Sequence, residues 1–177
     1  MQQDAFPVVT AISRFGESSG IAPFMQLYWS WPIAEIIHFT GICLLLGSVG
    51  IFDLRMLGVA RGLSLGGLRR LIPYGVAGFL LSASTGVAFV VTAPDQYLHN
   101  PAWQTKMGFL AAAGINMVLF HATMARRVYV VAADAPAPPP ARAFALVSLA
   151  CWLAVIACGR VITAFRPPFH WCFWCGM

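Results

Sequence analysis

Charge is the scarce component of this 177-residue chain: only 10% of its residues are Asp, Glu, Lys or Arg, whereas 59% are hydrophobic. Soluble domains carry about 25% charged residues, so this sequence cannot give itself a surface suited to water. The same composition excludes a disordered chain, a coiled coil and a secreted disulfide scaffold. Acidic residues are the rarest, six against eleven basic ones, which leaves a formal net charge of +5. That excess does not point to nucleic acid, because the basic residues form no stripe and accompany no reading motif. They lie beside apolar segments, where basic residues set the orientation of a membrane protein. The first 27 residues lack the basic start and continuous apolar run of a cleavable signal peptide. Also missing are an internal repeat, a phosphate loop, a nucleophile–base pair and a complete metal-ligand set. Enzymatic activity by the chain alone is therefore not expected.

What the chain does have is four apolar runs: Pro32 to Phe52, Leu71 to Ala93, Thr105 to Ala125 and Ala143 to Phe165. Each is close to the ~20 residues that cross a hydrocarbon core of ~30 Å. A backbone in lipid must satisfy its own hydrogen bonds, so each run is expected to be helical. The predicted fold class is all-α: an integral membrane four-helix bundle over residues 28–165, preceded by a short interfacial helix within residues 1–27 and followed by an aromatic and cysteine-rich tail, 166–177. Pro32 suits a first helical turn, and Asn100-Pro101 opens the third helix. The 134–140 stretch, DAPAPPP, is expected to be a non-helical link between spans three and four. Gly41, Gly47, Ser48 and Gly50, then Gly75, Gly78, Ser82 and Gly86, and then Ala111 to Gly114 are expected to allow close helix approach.

Orientation follows from the loops. Arg55, Arg61, Arg69 and Arg70 lie between spans one and two, and Arg126, Arg127 and Arg142 between spans three and four. The positive-inside rule puts these loops in the cytoplasm and both termini outside, in the periplasm of a bacterial inner membrane. Tyr28, Trp29, Trp31, Tyr97, Trp103, Trp171 and Trp174 all fall on the outer side, where aromatic rings favour the interface. Phe6 to Phe15 suits an amphipathic piece lying on that face, broken between Gly16 and Gly20, with a second short segment from Ile21 to Leu27.

Ionisable residues inside a membrane are costly unless paired, hydrated or working. Glu35 and His38 share one face of the first helix, three residues apart. Lys106 and Arg160 fall at similar depth near the outer end. These four form a candidate cofactor-binding cluster for haem b or a quinone; the alternative is an ion-pair network in which Glu35 faces Arg160 or Lys106. His121 lies near the inner end of the third span and is the remaining candidate. His38 and His121 are separated by about 15 Å along the bundle at 1.5 Å per residue, so they do not clasp one iron as a bis-histidine pair. A haem held by one histidine with a methionine or water stays open. Asp53 and Arg55, at the inner edge, are expected to face water. In the tail, Cys172 and Cys175 suit a disulfide or, with His170 and His99, a soft metal such as copper(I). Cys43, Cys151 and Cys158 read as small apolar residues.

The run WPIAEIIHFTGICLLLGSVGIFDLRMLG, with Glu35, His38 and Asp53-Leu54-Arg55, resembles the opening of an uncharacterised family of small bacterial four-span membrane proteins. Leu71-Ile72-Pro73, Ala77-Gly78-Phe79, Asn100-Pro101, Lys106, Asn116 to His121 and Gly159-Arg160 extend the resemblance over residues 28–165. More distantly the chain is similar to the membrane part of copper-resistance D-type proteins and to four-helix cytochromes b, which implies haem or copper handling. The tail from Pro167 departs from that pattern. The function expected first is that of an accessory subunit of a larger energy-converting or electron-transfer complex, in contact with lipid and other membrane subunits. The alternatives are a small haem or quinone protein and a copper or small-solute handling protein.

Overall fold

The computed structural model describes residues 7–59 and 61–165. Helices α1 (Pro7–Ser18) and α2 (Ile21–Met25) come first, separated by Gly20, whose φ of +76° suits a residue without a Cβ. The expected break is confined to residues 19–20, since α1 runs on through Gly16 to Ser18, and the second segment ends at Met25 rather than Leu27. Buried Gly16 brings α1 tightly onto a neighbour, because a methyl group there would sit 2.8 Å from the Val91 carbonyl oxygen.

Helix α3 (Ser30–Leu57) carries Pro32 in its first turn and ends at Gly58, with φ +93°. The Gly58 and Val59 amides close the end by donating to the carbonyls of Arg55 and Leu54. Then follow α4 (Leu65–Leu68), a 3₁₀ turn (Arg69–Leu71), α5 (Ile72–Thr92) and α6 (Pro94–Leu98). Asn100 caps α7 (Pro101–Thr123) by accepting from the amides of Ala102 and Trp103 at 3.0 and 3.4 Å. Short α8 (Ala125–Val128) leads to α9 (Pro139–Val161), which a 3₁₀ turn (Ile162–Phe165) extends.

Two sequence expectations need correction here. The 134–140 stretch is not wholly a link: α9 starts at Pro139, because prolines in a first turn forfeit amides that have no helical partner anyway. The small residues also do not act alike. A methyl on Gly41 would meet the Gly78 carbonyl at 2.7 Å, and one on Gly75 would meet Ser48 at 3.3 Å, so these glycines do admit close packing of α3 on α5. Gly47, Gly50 and Gly114 have nothing within 4 Å and serve no such contact.

Three stretches are long and apolar enough to cross a membrane: Ser30–Leu57, Leu65–Thr92 and Pro139–Phe165. Helix α7 has 23 residues but does not join them, because Lys106, Asn116 and His121 interrupt its apolar sequence. No strand occurs among the described residues.

The long helices form two hairpins, α3 with α5 and α7 with α9, which meet along a seam between α3 and α9. Helices α5 and α7 make no extended contact. An apolar cluster closes each end. At the basic end, Phe52 and Met56 pack with Leu65, Leu68, Phe120, Val128 and Ala141. At the aromatic end, Met25, Ala34, Phe89, Tyr97, Ala102 and Ile162 pack together, and Asn100 Nδ2 donates to the Ile162 carbonyl at 3.0 Å.

Candidate functional site

Helix periodicity brings His38 of α3 against Ser82 and Thr85, which share one face of α5. His38 Nδ1 lies 2.9 Å from Thr85 Oγ1 and 3.3 Å from Ser82 Oγ. The Thr85 hydroxyl donates its proton to the carbonyls of Leu81 and Ser82, at 3.1 and 3.0 Å. Its oxygen therefore acts as acceptor, so in a neutral imidazole the proton belongs on Nδ1. That leaves the lone pair on Nε2, which has the Ser82 hydroxyl at 3.5 Å. The Phe89 ring meets the imidazole edge-on at 5.7 Å and forms an aromatic wall.

The other candidates at this end divide. Lys106 and Glu35 are both close enough for their charges to act on His38. Lys106 is half-buried on α7, and its Nζ would lie 3.7 Å from a methyl built on Gly159 of α9. It thus reaches across its own hairpin. Glu35 is exposed, and its Oε1 accepts from the Trp31 indole N–H at 3.0 Å, one turn earlier on the same helix. Arg160 is exposed in the last turn of α9. The structure therefore groups His38, Lys106 and Glu35, with Arg160 at the rim.

His121 is elsewhere, at the basic end. Its Nδ1 lies 2.9 Å from the Met117 carbonyl and its Nε2 3.5 Å from the Tyr129 hydroxyl. Together with Arg69, Ile72 and Pro73 these two rings line an open recess of about 310 Å³. The Arg69 guanidinium sits 5.1 Å over the Tyr129 ring. Burial raises the Tyr129 phenol above its ordinary value, and the Arg69 charge partly opposes that shift. Asn116 turns away from His121 and donates to the Phe144 carbonyl at 3.1 Å.

The expectation that Asp53 and Arg55 face water is overturned. They are 3% and 0% exposed, because α4, α8 and their loops fold over the end of α3. Arg55 Nε donates to the Leu63 carbonyl at 2.7 Å, and Nη2 donates to the carbonyls of Ala132 at 3.4 Å, Ala133, and Ala135 at 3.2 Å. One side chain thus ties the loop of the first hairpin to the link of the second. Sequence reasoning missed this because the acceptors are backbone atoms. Ser82 and Thr85 left a fainter trace, their three-residue spacing on an otherwise apolar helix.

Cys151 is buried, Cys158 half-buried and Cys43 exposed, all as free thiols. The tail candidates His170, Cys172 and Cys175 lie outside the described residues. Among the described residues no three His, Cys, Asp or Glu side chains converge on a metal position. Neither a scan of protein-family models nor searches of curated proteins and of solved structures finds a match to this chain.

Proposed function

We propose that the chain is a four-span subunit of the bacterial inner membrane that holds the head of a lipid-soluble carrier of the quinone class at His38. The half-buried imidazole carries this reading. Thr85 of α5 fixes its tautomer, its Nε2 lone pair has only a long 3.5 Å contact with the Ser82 hydroxyl that a ligand would replace, and Lys106 acts on it from α7. A quinone head is a flat apolar ring with two oxygens. An ammonium donates to a carbonyl oxygen, and an imidazole lone pair accepts from the hydroxyl of the reduced form. Phe89 supplies a surface for the ring. Because α5 and α7 make no extended contact, such a molecule has an approach from the bilayer side.

A fourth crossing by α7 is supported by the engagement of its polar side chains. Asn116 bonds the Phe144 carbonyl, His121 bonds its own helix, and Lys106 reaches Gly159 of α9. The arginines gather at the end opposite Tyr28, Trp29 and Trp31, which favours a cytoplasmic basic end and periplasmic termini.

The test is titration of the nanodisc-reconstituted protein with decylubiquinone, read by quenching of tryptophan fluorescence. Saturable quenching is expected. His38→Ala should abolish it, Lys106→Gln should weaken it about tenfold, equivalent to about 1.4 kcal/mol, and Arg14→Gln should leave it unchanged. Folded wild-type protein that shows no saturable quenching rejects the reading. A Soret band in the purified protein, lost in His38→Ala, would assign Nε2 to haem instead.

The uncovered faces of α5 and α7 favour a second role beside the first, as an accessory subunit of a larger energy-converting complex. Native mass spectrometry of gently solubilised membranes tests it, and recovery of the chain without larger subunits counts against it.

A further inference from the structure

A second site stands at the opposite end of the bundle and is independent of the quinone reading. Asp53 directly follows the apolar run that ends at Phe52, and α3 carries it beneath the cap formed by α4 and α8. Asp53 is 3% exposed, the Ser148 hydroxyl of α9 lies beside its carboxyl, and Oδ2 has no partner. An ionised carboxylate is an acceptor at both oxygens. Buried this deeply, it bears a large desolvation cost. A protonated carboxyl avoids most of that cost.

The surrounding elements offer no compensating cation. Arg55 is two residues along α3, about 200° around the helix at 3.6 residues per turn; its Nε and Nη2 bond loop carbonyls, and its Nη1, without a partner, does not reach Asp53 Oδ2. Arg69 and Arg70 are exposed on the 3₁₀ turn, Arg126 and Arg127 are exposed on α8, and Arg142 of α9 is exposed and donates to the Ala137 carbonyl. Tyr74 of α5 and His121 of α7 are exposed, and Tyr129 after α8 packs on Phe52 and Arg69. Cys151, three residues beyond Ser148 on α9, is an uncharged buried thiol.

We propose that Asp53 is a proton-binding site at the seam between the two hairpins. The proton sits on the carboxyl while α3 and α9 are packed. Its release to water leaves a carboxylate between them and loosens the seam.

Isotope-edited infrared spectroscopy tests this on the full chain in nanodiscs, grown with carboxyl-labelled aspartate. A protonated-carboxyl band is expected at neutral pH. It should vanish in Asp53→Asn, fade as pH rises, and be indifferent to sodium. The melting temperature of the wild type should fall through the same pH range while that of Asp53→Asn stays flat. If that variant does not fold, peptide mapping of the wild type after treatment with a lipid-soluble carbodiimide replaces it, with an adduct expected on Asp53 that alkali suppresses. Only ionised aspartate bands at neutral pH would overturn the proposal. So would a band or adduct displaced by sodium, which would make this a cation site.

Discussion

Arg55 is fully buried and directs its bonds to main-chain carbonyls from two separate loops, with Nη1 left unpartnered. Replacing it with Leu strips donors from those carbonyls, and each buried group left unsatisfied costs about 1–3 kcal/mol. We expect Arg55→Leu to lower stability by about 3 kcal/mol or more, measured by thermal denaturation in detergent. Arg55→Lys should recover little, since an ammonium lacks the planar fork that reaches both loops. Tyr129 gives a pH test at the same scale. Its phenol titrates higher in the fold than in the unfolded chain, because burial disfavours the phenolate. Its contribution to stability is therefore complete below the unfolded phenol's titration and is lost as pH climbs through the folded one. Alkaline unfolding should set in later for Tyr129→Phe than for the wild type, followed by circular dichroism. His38 and Lys106 were legible as candidates from their cost in an apolar run, whereas the grip of Arg55 was not, since backbone acceptors leave no mark in composition.

At the scale of the element, the contact between α3 and α5 depends on two facing glycines. A Cβ at Gly41 would stand 2.7 Å from the Gly78 carbonyl and 2.8 Å from the Ser82 amide, both rigid backbone. Gly41→Val should therefore force the helices apart and cost about 1–3 kcal/mol. Gly47→Ala, at a position with nothing within 4 Å, should be neutral or slightly stabilising, since alanine favours helix over glycine by about 1 kcal/mol. Melting curves of the two variants in the same detergent compare them directly. The starts of α3 and α7 were readable because Pro32 and Asn100-Pro101 act locally, through a missing amide or a side-chain cap, whereas the proline run at 136–140 hid the start of α9 at Pro139. Which glycines make contact was not readable, since Gly41 and Gly47 sit in similar apolar surroundings and differ only in the face they turn to α5.

For the whole molecule, the chain divides into a basic end, closed around Phe52 and Val128, and an aromatic end, closed around Phe89 and Tyr97. If the basic end is cytoplasmic, a cysteine placed at exposed Ser19 should react with an impermeant maleimide in intact spheroplasts. One placed at exposed Asp134 should react only after permeabilisation, both in a background lacking the native cysteines. The reverse labelling would invert the topology. Composition alone announced the long apolar helices, but the pairing of hairpins was hidden, because four similar apolar runs do not say which neighbour each prefers. The grip at the basic end has an evolutionary corollary. Arg55 recognises carbonyl oxygens, so the side chains of Leu63, Ala132, Ala133 and Ala135 contribute nothing to it. Those positions are free to drift in spelling, whereas a single residue inserted or deleted in either loop would carry the oxygens out of reach. In descendants of this chain, loop length should be the inherited trait and loop sequence the variable one.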